Sequence, residues 1–501
     1  MFRAFAPKMR KVGLLAAALG FLLGGCGHQA HRLPPHSSLH PPETPEFHLQ
    51  FVEADDEGWL WQTEQAIEAL DQVRASIAKQ DTIVVLYVHG WHHSAQCCDG
   101  NVEGFKETLR RLRVELGKPM YDCARRLVGA VPTKPFEIVG IYVGWRGRSL
   151  PGLLDFTTFW GRKAAAERVG RTDFQEFMVR LQRLYDDHYA GSNAANFPAP
   201  RFLGVVSIGH SFGGQVMLSG TSNFFESELQ RVNPTPGYLR GVSVAPTPTQ
   251  LSETLRGFGD LVILVNPAVE AAAYQRIHGL SSGLRYSERQ TPILLTLSAD
   301  NDGPRHKLFE IGRIAGEIFG FKPDKEDVRE RELERQALGV YGPNGEQVTH
   351  RLSAVDETLR LARDNLTRSH ESYCTIAPCS FDWYRWTDGK SIRGADTLDA
   401  TTFTEEMVRR IARFDFSQEV VFADVRLKPG AGAIPYQPTI VASVHPSVID
   451  GHNGMFSEPL MDFLIRYIGF TEAKKYLLFA QRFKETSAVR PRTEEQSCVP
   501  D

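Results

Sequence analysis

Three short stretches carry residue types that could do chemistry together. The first is Gly209-His210-Ser211-Phe212-Gly213, the second Ser298-Ala299-Asp300-Asn301-Asp302, the third Ile449-Asp450-Gly451-His452-Asn453. A serine hydroxyl is a weak nucleophile at neutral pH. It needs a base to take its proton and a third group to orient that base. The chain supplies all three types, a set that suits attack on an acyl carbon through a covalent acyl-serine. Ser211 is the expected nucleophile and His452 the expected base. His452 lies in a glycine-flanked loop and no histidine follows His445 except it; His445, next to Pro446, is the reserve candidate. Of the two aspartates, Asp302 is the expected acid, because it sits farther into its loop, just before Gly303-Pro304. Asp300 is the alternative; nearer the strand end, it could instead satisfy amides of the turn. Asp450, two residues from His452, reads as a turn-former.

An acyl transfer of this kind also needs two backbone N–H groups aimed at the developing oxyanion. Phe212, the residue after the serine, is expected to give one. Trp91, in His89-Gly90-Trp91-His92-His93, is expected to give the other. Both roles use main-chain atoms, so side-chain type says little, and Trp91 could equally wall a pocket. His89, His92, His93, Cys97, Cys98 and Asp99 are all zinc-compatible ligand types, but their spacing fits no ligand pattern. No metal and no cofactor are expected.

The elements that must position these groups can be read from periodicity. Phe202 to Gly209 is a short apolar, β-branched run, and Gly214 to Leu229 reads as a helix. Ser211 therefore falls on a sharp strand-to-helix turn, with glycines two positions either side to let it close. Thr82–Val88, Phe136–Gly144, Asp260–Val265 and Pro292–Leu297 read as further buried strands, Phe47–Phe51 as a first strand, and Glu419–Leu427 and Pro438–Val444 as the last two. Helical patterns cover Leu60–Ala78 (with Leu60, Ile67, Leu70, Val73 and Ile77 inward), Asn101–Leu116, Arg171–Tyr189 and a closing segment through Leu460, Phe463, Leu464 and Ile468. Alternating strands and helices of these lengths call for an α/β fold with a doubly wound, mostly parallel sheet. Sites in such sheets lie at the strand C-termini, where the clusters after His89, Trp145, Gly209, Ser298 and Pro446 all fall. Residues 303–418 break the rhythm and read as a large insertion or cap before the last strands. The core is expected in two parts, 47–302 and 419–485, with a tail at 486–501.

Composition is that of an ordinary soluble domain: 42% hydrophobic, 23% charged, net charge -3 over 501 residues. That balance gives no hint of nucleic-acid binding. Arg3, Lys8, Arg10 and Lys11 precede an apolar run from Val12 to Gly25, too short to span a bilayer comfortably. Leu23-Gly24-Gly25-Cys26 then follows, so residues 1–26 read as a signal peptide ending in a cysteine to be lipidated. Residues 27–46, with Pro34, Pro35, Pro41 and Pro42, read as an extended tether. The other six cysteines, in an oxidising compartment, suggest disulfides whose connectivity spacing does not give.

The Leu-Gly-Gly-Cys junction resembles a bacterial lipobox, and the non-aspartate Gly27 after it implies sorting to the outer membrane. The Gly-His-Ser-Phe-Gly elbow, the His-Gly-Trp-His-His segment and the closing Asp-Gly-His-Asn resemble an α/β-hydrolase of the serine esterase/lipase type, over roughly Thr82 to Ile311 and Val441 to Gly469. The resemblance implies an acid a few residues past a late strand, cleavage of carboxylic esters, an ester or lipid substrate, and a membrane association through the N-terminal lipid anchor. The alternative is an envelope lipoprotein that uses the same fold only for binding.

Overall fold

A computed structural model describes residues 46–96, 99–117, 136–147, 159–191, 201–233, 249–281, 283–303, 328–340, 347–355 and 411–488. The signal peptide with Cys26, nearly all of the tether, Cys97, Cys98, Cys123, Cys374, Cys379, Cys498 and the C-terminal tail beyond 488 lie outside the described residues.

The strands in chain order are β1 (His48–Glu53), β2 (Thr82–Val88), β3 (Glu137–Gly144), β4 (Leu203–His210), β5 (Thr249–Gln250), β6 (Leu261–Val265), β7 (Leu284–Arg285), β8 (Leu294–Ala299), β9 (His350–Ala354), β10 (Val420–Phe422), β11 (Val425–Pro429) and β12 (Thr439–Val444). Ten of them form one sheet in the order β1-β3-β2-β4-β6-β8-β12-β9-β11-β10, while β5 and β7 make a separate short ribbon. From β1 to β9 every neighbour is parallel; only β9–β11 and β11–β10 are antiparallel. The fold is thus α/β with a large, mostly parallel central sheet.

Both faces of that sheet are covered, which explains why β2, β4, β6 and β8 are buried from end to end. Alternate residues of β2 serve opposite cores: Ile83, Val85 and Tyr87 on one side, Val84, Leu86 and Val88 on the other. The first core packs α2 (Gly100–Leu116) and the closing helix, Glu458–Ala488. The second packs α1 (Thr63–Ile77), α3 (Phe159–Val169), α4 (Asp173–Gly191), α5 (Phe212–Val232) and α6 (Ala271–Ser281). A further helix, α7 (Val328–Arg335), precedes β9, and the closing helix is α8. Among the described residues no helix is long and apolar enough to cross a membrane.

The structure differs from the sequence expectation in three places. In α1 the inward face is Ala66, Ala69, Leu70, Val73 and Ser76, and Ile67 is 49% exposed. Small residues let the helix sit close to the sheet, and the larger isoleucine is left on the flank. Glu419–Leu427 is not one strand but a hairpin, with Val420 opposite Leu427 and Phe422 opposite Val425. Its two-residue turn puts Ala423 at φ 53°, without the Asn-Gly or Asp-Gly signature that such a turn favours. Finally, residues 303–418 are not wholly an insertion: His350–Ala354 is a strand of the main sheet, between β12 and β11.

Candidate active site

Ser211 is the N-cap of α5 and stands at φ 56°, ψ -119°, a backbone conformation strained for a non-glycine residue. The surroundings over-determine it. Its amide donates to Val265 O (3.0 Å), and its carbonyl accepts from Gly214 N and Ala268 N (both 3.0 Å). The end of β6 therefore grips the serine from both sides. Gly213 is required by close approach, since a Cβ there would lie 2.1 Å from Val88 O. Without that side chain, α5 starts directly against the C-terminal end of β2.

The Ser211 Oγ lies 2.7 Å from His452 Nε2, and His452 Nδ1 lies 2.7 Å from Asp302 Oδ2. An ionised carboxylate only accepts, so Nδ1–H donates to Asp302 and Nε2 is left to accept from the serine hydroxyl. Asp302 is fully buried and the His452 side chain is 14% exposed. Asp300 is turned elsewhere, 3.5 Å from Arg351 of β9 in a pair open to solvent. His445 is exposed and bonds Ser447 Oγ at 2.9 Å, away from this relay. Asp450 accepts from Asn301 Nδ2 at 2.7 Å.

The loop that carries Trp91 packs against the serine: a Cβ on Gly90 would lie 2.8 Å from Ser211 Cβ and 2.9 Å from His210 O. His89 fixes the orientation of the Gly90–Trp91 peptide. Its Nδ1 donates to Gly90 O (2.9 Å), and its Nε2 accepts from the Trp145 amide (3.1 Å). Since a trans peptide directs its C=O and N–H oppositely, holding Gly90 O on His89 turns the Trp91 N–H to the other side. Complete burial lowers the His89 pKa to about 4, so both of its ring nitrogens keep these neutral roles at ordinary pH. Phe212 is the first residue of α5, so its N–H has no partner within the helix. The ring of Phe212 packs with Phe159 (4.9 Å) and Trp91 (6.2 Å), and Trp91 meets Phe159 edge-on at 5.3 Å. Beyond its amide, then, Trp91 packs in an aromatic cluster, with Nε1 buried and without a hydrogen-bond partner among the described residues.

Two of the zinc-type residues of this loop, His93 and Asp99, bond each other. His93 Nδ1 is 3.0 Å from Asp99 Oδ1, and Asp99 caps α2 by accepting from Asn101 N at 2.8 Å. Burial opposes ionisation of Asp99, but the bonds from His93 and the Asn101 amide outweigh it and hold its pKa below the ordinary value. Among the described residues no group of three or more His, Cys, Asp or Glu side chains could hold a metal ion.

Three residues that bond the histidine and acid loops carry no sequence signal strong enough to single them out. His210 Nε2 donates to His452 O at 3.0 Å, and burial, then the nearby His452, lower its pKa to about 3. Asn301 donates to Asp450 and accepts from Gly451 N at 2.9 Å, tying the acid loop to the histidine loop. Asn266 donates to both Gly451 O and His452 O. The hint available for Asn266 is its type: asparagine at a strand end tolerates positive φ, and Asn266 stands at φ 45°.

No family model, curated protein or solved structure matches the chain.

Proposed function

We propose that this protein is a serine hydrolase of the α/β-hydrolase type that cleaves carboxylic esters, carried as a lipoprotein of the bacterial envelope. The observation that carries the reading is the relay Ser211–His452–Asp302, joined by two 2.7 Å contacts and headed by a serine at φ 56°. An ordinary βα turn has no need of a strained serine facing a carboxylate-oriented imidazole.

In the proposed reaction His452 Nε2 takes the Ser211 proton as Oγ attacks the ester carbonyl. Asp302 holds the imidazole in the required tautomer and stabilises the imidazolium that forms. The Phe212 and Trp91 amides stabilise the oxyanion of the tetrahedral intermediate. Collapse releases the alcohol, which takes its proton from His452, and leaves an acyl group on Ser211. Water, deprotonated by His452, then attacks that acyl group, and the acid leaves. The reaction as drawn uses only groups of this chain and water. The partly exposed ring of Trp91, packed on the buried Phe159 and Phe212, supports an ester with an apolar portion, such as a lipid. For the anchor, support comes from the Leu23-Gly24-Gly25-Cys26 junction, and Gly27 favours the outer membrane as destination.

The test is covalent labelling of residues 27–501 by a fluorophosphonate probe, with turnover of p-nitrophenyl esters of graded chain length. Label at Ser211, and loss of turnover by about a millionfold in folded Ser211→Ala, is the expected result. Retained turnover in that variant sinks the reading.

A further inference from the structure

Asn266 directly follows β6 in full burial and bonds both the histidine loop and the end of β8, the strand that leads to Asp302. Its Nδ2 donates to Gly451 O (3.2 Å) and His452 O (3.0 Å). Its Oδ1 accepts from Ala299 N (2.8 Å), three residues before Asp302, and its own amide donates to Leu297 O (2.7 Å). Its near neighbours in the chain hold the nucleophile turn: Val265 O, one residue before, takes the Ser211 amide, and Ala268 N, two residues after, donates to the Ser211 carbonyl. From this convergence we infer that Asn266 is a positioning residue, which sets the histidine loop in register with the acid loop and the nucleophile turn and so fixes His452 between Ser211 and Asp302.

Residue type and backbone fit this role. The position needs a left-handed conformation, a donor on one side and an acceptor on the other. A side-chain amide gives both, and asparagine is the non-glycine residue that best tolerates that φ. His210 is the second donor on His452 O, and it comes from the residue before the nucleophile. Two donors from adjacent strands on one carbonyl leave the histidine backbone little freedom to swing. The relay spans loops far apart in sequence, and a displacement of about 1 Å in such an arrangement costs about a hundredfold in rate.

The kinetic part of the test rests on the serine-hydrolase reading, so a second readout independent of turnover accompanies it. Asn266→Gly accepts the backbone conformation and removes all three side-chain bonds, to Gly451 O, His452 O and Ala299 N. The expected result is a kcat lower by about a hundredfold with KM within about twofold, per folded molecule. The downfield proton resonance of the His452 Nδ1–H, bonded to Asp302 in the wild type, is expected to broaden or vanish with it. Asn266→Asp restores a donor only while the introduced carboxyl is protonated, so its activity relative to wild type should fall as pH rises. A role in packing alone would lower the melting temperature and leave the kcat of folded protein and the resonance in place. A kcat within about threefold of wild type, with an unchanged resonance, overturns the inference. If Asn266→Gly does not fold, the Asn266→Asp profile decides, and a pH-independent ratio overturns it. A wild type that shows the resonance but neither turns over esters nor takes the probe refutes the hydrolase reading alone; the resonance in the variants then decides the role of Asn266.

Discussion

Asp300 and Asp302 are two residues apart and have opposite surroundings. Asp302 is fully buried against His452, whereas the Asp300 side chain is 36% exposed and faces Arg351 across 3.5 Å. A solvent-exposed pair of that kind contributes about 0–1 kcal/mol, so its removal has little to act on. Asp302→Asn leaves the shape of the site intact but favours the imidazole tautomer whose Nε2 carries the proton. On one ester, Asp302→Asn should lose about ten-thousandfold in kcat and Asp300→Asn should stay near wild type. The reverse pattern, with both variants folded, would transfer the role to Asp300. Loop position alone favoured Asp302, because it is the more distant from the strand. The reason Asp300 turns away was not legible, since its partner Arg351 lies on β9, in a stretch whose pattern gave no strand.

At the scale of elements, the central strands were legible because burial on both faces makes them largely apolar: Leu261–Val265 wholly so, Thr82–Val88 after its first residue, and Leu203–His210 with Ser207 and His210 as its polar members. Strand β9, His350–Ala354, reads HRLSA and buries only His350 and Leu352. The β10–β11 hairpin turns at Ala423-Asp424, which lacks a glycine. Strands β9 and β11 are half solvated and β10 is only three residues long, so their composition does not separate them from loops. The elbow was legible for a different reason: the turn between β4 and α5 imposes a steric demand that only glycine meets. Gly213→Ala would set a Cβ 2.1 Å from Val88 O, a backbone atom in the middle of the sheet that cannot rotate away. The element as a whole must then shift, moving the Phe212 amide relative to Trp91. We expect a loss of about 3 kcal/mol or more in urea unfolding, and a fall in kcat in what remains folded. Gly161→Ala is the control. It lies in α3 with open space at the Cβ position, and should be neutral or stabilising by up to about 1 kcal/mol. Equal effects of the two substitutions would refute the packing argument.

On the scale of the whole molecule, buried ionisable groups lie at both ends of the sheet and couple folding to pH with opposite signs. At the strand C-termini, burial holds His89 and His210 neutral, with pKa values of about 4 and about 3. Between those values and about 6.5 the unfolded chain binds protons that the folded chain refuses, so stability falls as pH drops through this window. Near the other end, Glu472 of α8 is 2% exposed, and both its carboxyl oxygens are buried without hydrogen-bond partners among the described residues. Burial, and then the neighbouring Asp260, push its pKa well above the ordinary value against the pull of Lys475. Its carboxyl packs so closely on β4 that a Cβ on Gly204 would lie 2.4 Å from Oε2. Above about pH 4.5 the unfolded chain has released this proton while the folded chain keeps it. Glu472 therefore costs stability as pH rises, by up to about 1.4 kcal/mol per pH unit until its folded pKa is reached. Glu472→Gln keeps the shape and removes the titration. The stability of the variant relative to wild type should climb above pH 4.5 and level off where the folded carboxyl ionises, while the histidine-driven loss below about 6.5 should be the same in both proteins. Urea midpoints measured across pH 4 to 8 separate the two contributions, because the histidine slope cancels in the difference between variant and wild type. A difference that stays flat across that range would mean that Glu472 is ionised in the folded protein, with water or a cation reaching it beneath α8.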